Sequence, residues 1–272
     1  DQIWANSAQG ANVNVCIIDS GIDESHQEIA GKVVARRSFV SFVPPLPAPP
    51  IDGDVRSPAP LDSNGHGTHV AGTVTANGIV TAGFAPQARL MAAKVFAATG
   101  GTPVARVVNA LQWCTDNGAQ VVNMSLGGIR YYPPTPVSGE PSYAAYAAGV
   151  KYATDAGVVV AVSAGNSNIR LDNPKLVVVP AQVPGTIIVD ATGPLSRVGT
   201  WPIGGENRTA PLLAVTAMGP SWDPFDAAQV NFGPDGKAFY SNFGTGVHVF
   251  APGGRGGVPA GYPNRIIVDA TG

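Results

Sequence analysis

Three short apolar runs constrain this chain more than any other feature, because each stops abruptly on a polar residue. Val13 to Ile18 is a β-rich run that ends at Asp19-Ser20-Gly21. Arg89 to Phe96 reads as a second strand. Val121 to Met124 halts at Ser125-Leu126-Gly127-Gly128, and Val158 to Val162 at Ser163-Ala164-Gly165-Asn166. Continuous apolar runs of this length are the signature of strands buried on both faces, as in a parallel sheet. The segments between them carry helical signals. Thr102 and Pro103 read as N-cap and first-turn proline of a helix ended by Gly118, and a further helix runs from about Ser142 to Asp155, closed by Gly157. Strand and helix alternate, so the expected fold class is α/β: a mostly parallel, twisted sheet with helices on both faces and right-handed crossovers. The Gly- and Pro-broken stretch 167–246 gives no such pattern.

In such a sheet, ligands sit in the crevice outside the carboxyl ends of the strands. Asp19, Ser125 and Asn166 each follow directly on an apolar run, so a carboxylate, a glycine-flanked loop and an amide share one rim. The stretch Asn64-Gly65-His66-Gly67-Thr68-His69-Val70-Ala71-Gly72 brings a histidine to the start of a helix through Val70 and Val74. Glycines on both sides of His66 allow a second group to approach the imidazole closely. Imidazole is the side chain suited to moving protons near neutral pH. Carboxylate, imidazole and amide are three of the four parts of an acyl-transfer site.

Composition narrows the class. The 272 residues suit one large domain, here 1–272, and only 12% of them are charged against 44% hydrophobic. A net charge of −2 points to neither nucleic acid nor an anionic membrane surface, and no apolar run approaches the roughly 20 residues needed to span a bilayer. Prolines 44, 45, 47, 49, 50, 58 and 60 make residues 40–61 a surface loop between Asp19 and His66. Cys16 lies in an apolar strand. Cys114 shares a helical stripe with Val104, Val107, Val108 and Leu111. The two form either one bridge or two buried thiols.

These motifs resemble the subtilisin-like serine proteases. The match rests on Ile18-Asp19-Ser20-Gly21-Ile22-Asp23, Gly65 to Gly72, Asn123 to Gly128, Ser163 to Asn166, Ser241-Asn242-Phe243-Gly244 and Ala251-Pro252-Gly253, all in the family's order. The resemblance implies a secreted endopeptidase with Asp19 as triad carboxylate, His66 as general base and Asn166 as oxyanion-hole amide. It makes His69 structural and Asp23 a turn residue. An extended peptide would add as a strand between Gly100-Gly101-Thr102 and Ser125-Leu126-Gly127, with Ala164 and Gly165 beside it. Phe96, Val104 and Val107 would line side-chain pockets, or else belong to the core, and the Tyr131–Pro136 loop would bear on specificity.

Two departures matter. The turn between Val74 and Gly83 is short where many relatives hold calcium, so calcium is implied by the family while no metal site is assigned. Neither the His66/His69 pair nor Glu28 makes a ligand set by itself. The family's nucleophile motif, Gly-Thr-Ser-Met-Ala, is not found in the chain, and the sequence Ala251 to Gly272 reads as the run leading up to it. No G-x-S-x-G elbow replaces it. The expectation is therefore a catalytic domain incomplete at its C-terminal end, lacking the nucleophile helix and nearly inactive alone. A second polypeptide beginning near the missing Thr-Ser would complete it, with a peptide or protein as substrate. A non-enzymatic peptide-binding module of the same fold is the alternative. The heptapeptide IIVDATG occurs twice, at 187–193 and 266–272, without a physical reason.

Overall fold

The structure is a computed structural model. It describes residues 9–40, 62, 64–79, 82–97, 101–131, 140–167, 169–194, 198–203, 206–211, 235–237, 241–244 and 247–252. The Pro-rich loop, Gly100, Tyr132 to Pro136, and the second IIVDATG lie outside these residues. The chain packs as two compact units. One holds residues up to Leu126 together with Tyr132–Val162 and Val183–Ile187. The other holds Gly127–Tyr131, Ser163–Gln182 and Ile188 onward.

The first unit is built on a parallel sheet. Its strands are β1 (Asn14–Asp19), β2 (Val33–Ser38), β3 (Arg89–Lys94), β4 (Val121–Met124) and β6 (Val159–Ser163), in the order β6-β4-β1-β3-β2. All four pairings are parallel. Among the described residues three helices serve it: α1 (His66–Thr75), α2 (Val104–Asp116) and α3 (Pro141–Asp155). Alternation along β1 shows that both faces are covered, as the patterning predicts. Val15 and Ile17 pack with Val70 and Ala71 of α1, along with Leu90, Ala92, Ile22 and Ile29. Cys16 points the other way and is joined by a disulfide to Cys114 of α2, with a Cα–Cα distance of 6.0 Å. The bridge is therefore formed. On that second face α3 closes on α2 at Gly149, where an added Cβ would lie 3.1 Å from Val108.

Two local expectations are corrected. Thr102 does not cap α2: Pro103 occupies the cap position without a side-chain bond, and the Thr102 hydroxyl donates to the Val95 carbonyl at 2.8 Å. Helix α3 begins at Pro141, one residue before the expected Ser142. The Glu140 carboxylate accepts from the Tyr143 N–H at its start.

The second unit contains β5 (Gly128–Tyr131), antiparallel to β7 (Leu176–Val179), and β8 (Thr186–Pro194), flanked by parallel β12 (Val249–Pro252) and antiparallel β11 (Asp235–Lys237). Strands β9 (Val198–Ile203) and β10 (Glu206–Pro211) pair as an antiparallel hairpin.

Candidate active site

Strand order explains where the chemistry collects in the first unit. The chain leaves β1 toward β2 on one side, whereas it leaves β4 toward β6 on the other. The switch point of the sheet therefore lies between β1 and β4. A crevice opens outside the strand ends at such a point. Ile17 is paired with Asn123 there, and two residues further along each chain stand Asp19 and Ser125. Strand β1 begins and ends one residue later than its apolar run and so includes Asp19 itself.

Asp19 is 1% exposed, and its Oδ1 lies 2.7 Å from Nδ1 of His66, whose side chain is 30% exposed. The same oxygen accepts the Ser20 N–H at 2.6 Å. A carboxylate oxygen accepts hydrogen bonds, so this contact suits the tautomer that carries its proton on Nδ1. The structure thus brings two of the expected catalytic residues into contact, buried on the carboxylate side and part-exposed on the imidazole side.

Close backbone approach makes the pair possible. A Cβ at Gly67 would lie 2.1 Å from the Gly21 carbonyl oxygen and 3.1 Å from the Asp19 Cβ, so only glycine lets α1 start this near β1. Gly65, the helix N-cap, has φ of 93°, a left-handed conformation that suits glycine.

The helix start is held by a residue that pattern reading missed. Asp62 Oδ1 accepts from the N–H groups of Asn64 and Gly65, at 3.1 and 2.8 Å, and from the Ser20 hydroxyl at 2.9 Å. Its Oδ2 accepts both the N–H and the hydroxyl of Thr68, at 2.9 and 2.6 Å. Ser20 Oγ in turn accepts the Gly67 N–H at 2.9 Å. Burial works against the charge on Asp62, but these hydrogen bonds from Thr68, Gly65 and Ser20 outweigh it and hold the carboxyl below its usual pKa. A single carboxylate thus ties the first turn of α1 to the residue beside Asp19. The signal was present as Asp62-Ser63-Asn64-Gly65 just ahead of a helix, a composition typical of capping turns. Buried Lys94, opposite Asp19 in β3, donates to the Ser20 carbonyl and fixes the same turn from behind.

Other expected residues have distinct surroundings. Asp23 is a turn residue, its Oδ1 accepting from the N–H and hydroxyl of Ser25. Gly101 has open space where a Cβ would point, and Thr102 is anchored to the end of β3 through Val95. Ser125 and Leu126 are buried, with the Asn123 amide donating to the Ser125 hydroxyl at 3.0 Å. Val107 is fully buried, so it is core and does not line an open pocket. Glu28 is buried and accepts from the N–H groups of Gly78 and Ile79, which commits one of its carboxylate oxygens to closing the short turn. No group of three or more His, Cys, Asp or Glu side chains among the described residues converges as a metal site.

In the second unit Asn166 is exposed on the loop following β6, between buried Ala164 and half-buried Gly165 on one side and exposed Ser167 on the other. Ser241 is fully buried, its hydroxyl engaging Asp190 and accepting the Ala191 N–H at 3.0 Å, as befits a structural serine.

Comparison with known proteins agrees with this geometry. Subtilisin E of Bacillus subtilis is 39% identical over 184 residues, which cover 67% of this chain and 41% of that protein. Thermitase of Thermoactinomyces vulgaris is 33% identical over 175 residues, 63% of this chain and 53% of thermitase. The chain therefore spans only about half the length of the relatives it matches. Among solved structures, a cold adapted subtilisin-like serine proteinase superposes over 91% of this chain and 65% of its own, with a TM-score of 0.59 and 25% identity. The nisin leader peptidase NisP of Lactococcus lactis shares the fold at a TM-score of 0.65 and 22% identity, over 93% of this chain and 65% of NisP. The family model for peptidase S8 matches residues 10–270, and the chain belongs to the subtilase family of serine proteases.

Proposed function

We propose that this chain belongs to a secreted serine endopeptidase, in which Asp19 and His66 serve an Asp-His-Ser triad. The observation that carries the reading is the 2.7 Å contact between a buried carboxylate and a part-exposed imidazole at the switch point of a parallel sheet. During acyl transfer His66 Nε2 takes the proton of the nucleophile and later delivers it to the leaving amine, while Asp19 stabilises the imidazolium. Asn166 donates its side-chain N–H to the oxyanion. The peptide substrate extends along Gly100-Gly101-Thr102 and Ser125-Leu126-Gly127, main chain to main chain.

The family's nucleophile motif is not found among these 272 residues, and loss of that serine in a subtilisin lowers kcat by about 2 × 10⁶. The Cys16–Cys114 disulfide supports an oxidising, extracytoplasmic location. Among the described residues no helix is long and apolar enough to cross a membrane.

A fluorophosphonate probe followed by denaturing intact-mass analysis tests the assignment on the protein as isolated. The label is expected on a serine, and it should be lost in His66→Ala. Equal labelling of wild type and His66→Ala would remove His66 as base.

A further inference from the structure

The loop bearing Asn166 is gripped by one side chain from far along the sequence. Asn242 is 1% exposed, and its amide reaches the loop on both sides of Asn166. Nδ2 donates to the Ala164 carbonyl at 2.8 Å. Oδ1 accepts from the N–H groups of Ser167 and Ile169 at 3.0 and 3.1 Å. The Asn242 backbone N–H donates to the Gly165 carbonyl at 2.8 Å. Four hydrogen bonds from a single residue thus enclose the turn that carries exposed Asn166.

The loop is shaped to receive that amide. Gly165 has φ of +98°, and a Cβ there would sit 2.6 Å from Asn242 Nδ2, so glycine is required by both conformation and space. Asn242 is itself fixed from behind. The Ser241 hydroxyl engages buried Asp190, Ala164 N–H donates to the Val189 carbonyl at 2.8 Å, and the Phe243 N–H donates to Ile169 at 3.0 Å. An exposed side chain cannot be immobilised by packing, yet an oxyanion donor must be aimed before the charge develops.

We propose that Asn242 is a positioning residue for the oxyanion donor Asn166, acting through the backbone of residues 164–169. The inference rests on the reading of Asn166 given under Proposed function. An amide is the side chain that fits, because one end must donate to a carbonyl and the other must accept two N–H groups. Asn242→Asp keeps the acceptor end but sets a carboxylate oxygen against the Ala164 carbonyl, which opens the clamp on that side.

The test is a double-mutant cycle on the complete, active protein, comparing wild type, Asn242→Asp, Asn166→Ala and the double variant with one peptide substrate. Removing an oxyanion donor typically lowers kcat by about 10²–10³. Asn242→Asp is expected to lose about 10–100-fold in kcat, with KM changed by less than about threefold. In the Asn166→Ala background the same change should cost less than about threefold, because residues acting as a unit are non-additive. Asn242→Ser, which removes the amide without adding charge, is measured alongside and must behave the same way if the aspartate variant does not fold.

An unchanged kcat in both Asn242 variants, with Asn166→Ala slow, overturns this inference and leaves the oxyanion assignment standing. A full, additive loss in the Asn166→Ala background also overturns it, since it would mark a role unconnected with Asn166. An unchanged kcat in Asn166→Ala overturns the oxyanion assignment and this inference with it.

Discussion

Gly67→Ala is a change that helix propensity alone would favour, and the site geometry forbids it. Alanine in place of glycine inside a helix contributes about 1 kcal/mol of stability. Here the new Cβ would stand 2.1 Å from the Gly21 carbonyl oxygen, a backbone atom that cannot rotate aside. Carbon–oxygen contacts settle near about 3.3 Å, so the start of α1 must withdraw from the end of β1 by roughly 1 Å. Overpacking of this kind costs about 1–3 kcal/mol, which leaves a net loss of 0 to about 2 kcal/mol and lowers Tm by only a few degrees. The consequence for chemistry is larger. Gly67 directly follows His66, so the same withdrawal stretches the 2.7 Å contact with Asp19 toward the limit of a hydrogen bond. A misplacement of about 1 Å costs on the order of 10²-fold in rate. The expected result in the complete protein is therefore a kcat reduced by about 100-fold beside a nearly unchanged Tm. The low-field NMR signal of the His66 Nδ1 proton should disappear in parallel. A variant with kcat within about threefold of wild type would refute the argument that this close approach sets the pair.

The other predictions concern the supports of the site. Asp62 has a folded-state pKa below its unfolded value, so its contribution is fully present above about pH 4 and is lost as pH falls through the depressed value. Asp62→Asn should flatten the acid limb of Tm against pH between about pH 2 and 4, and an acid limb parallel to wild type would contradict the role given to these hydrogen bonds. Ser20→Ala breaks the link between Asp62 and the Gly67 N–H. It should lower Tm by about 2–8 °C, the equivalent of roughly 1–2 kcal/mol for a buried bond, and a Tm equal to wild type in differential scanning calorimetry would count against the bridge. Reducing Cys16–Cys114, which spans 98 residues, should cost about 2–4 kcal/mol and some 5–15 °C of Tm, and indifference to reductant in a thermal scan would mean that the bridge is not stabilising.

How much of this was legible in the sequence follows from what pattern can encode. Val15 to Ile18 are buried on both faces, and in β4 Val122 and Met124 are buried between half-buried Val121 and Asn123, so these runs announced parallel strands, and the residue after each announced the rim. The disulfide was not decided by pattern, because Cys16 and Cys114 look the same as buried thiols or as a bridge. Only the facing of β1 and α2 settles it. Thr102 beside Pro103 carried a good capping signal, yet its hydroxyl found the Val95 carbonyl instead, a tertiary contact that overrides local preference. Val107 lay on the stripe that could equally line a pocket or fill the core, and packing put it in the core. Asp62 carried a local capping signal, but nothing in it pointed to the Ser20 hydroxyl 42 residues away; Asn242 was illegible because it acts on backbone groups of a distant segment, 78 residues away for Ala164. Backbone partners leave no side-chain signature.

That last property has a physical logic. In the proposed site the proton-transfer group and the oxyanion donor must face the substrate, so they cannot be fixed by burial: His66 keeps 30% of its side-chain surface exposed, and Asn166 is exposed on its loop. Rigidity has to be imported. It comes from buried or half-buried polar groups: Asp19 at 1% exposure and Asn242 at 1%, with Asp62 behind the helix start. Each grips main-chain donors and acceptors that cannot rotate away. Satisfied networks of this kind are stiff because the cost of leaving any one member unpaired is high. Changing a reacting residue should therefore abolish chemistry and leave the fold intact. Changing a holder should degrade chemistry through geometry, with partial losses that vanish once the reacting residue it serves has been removed.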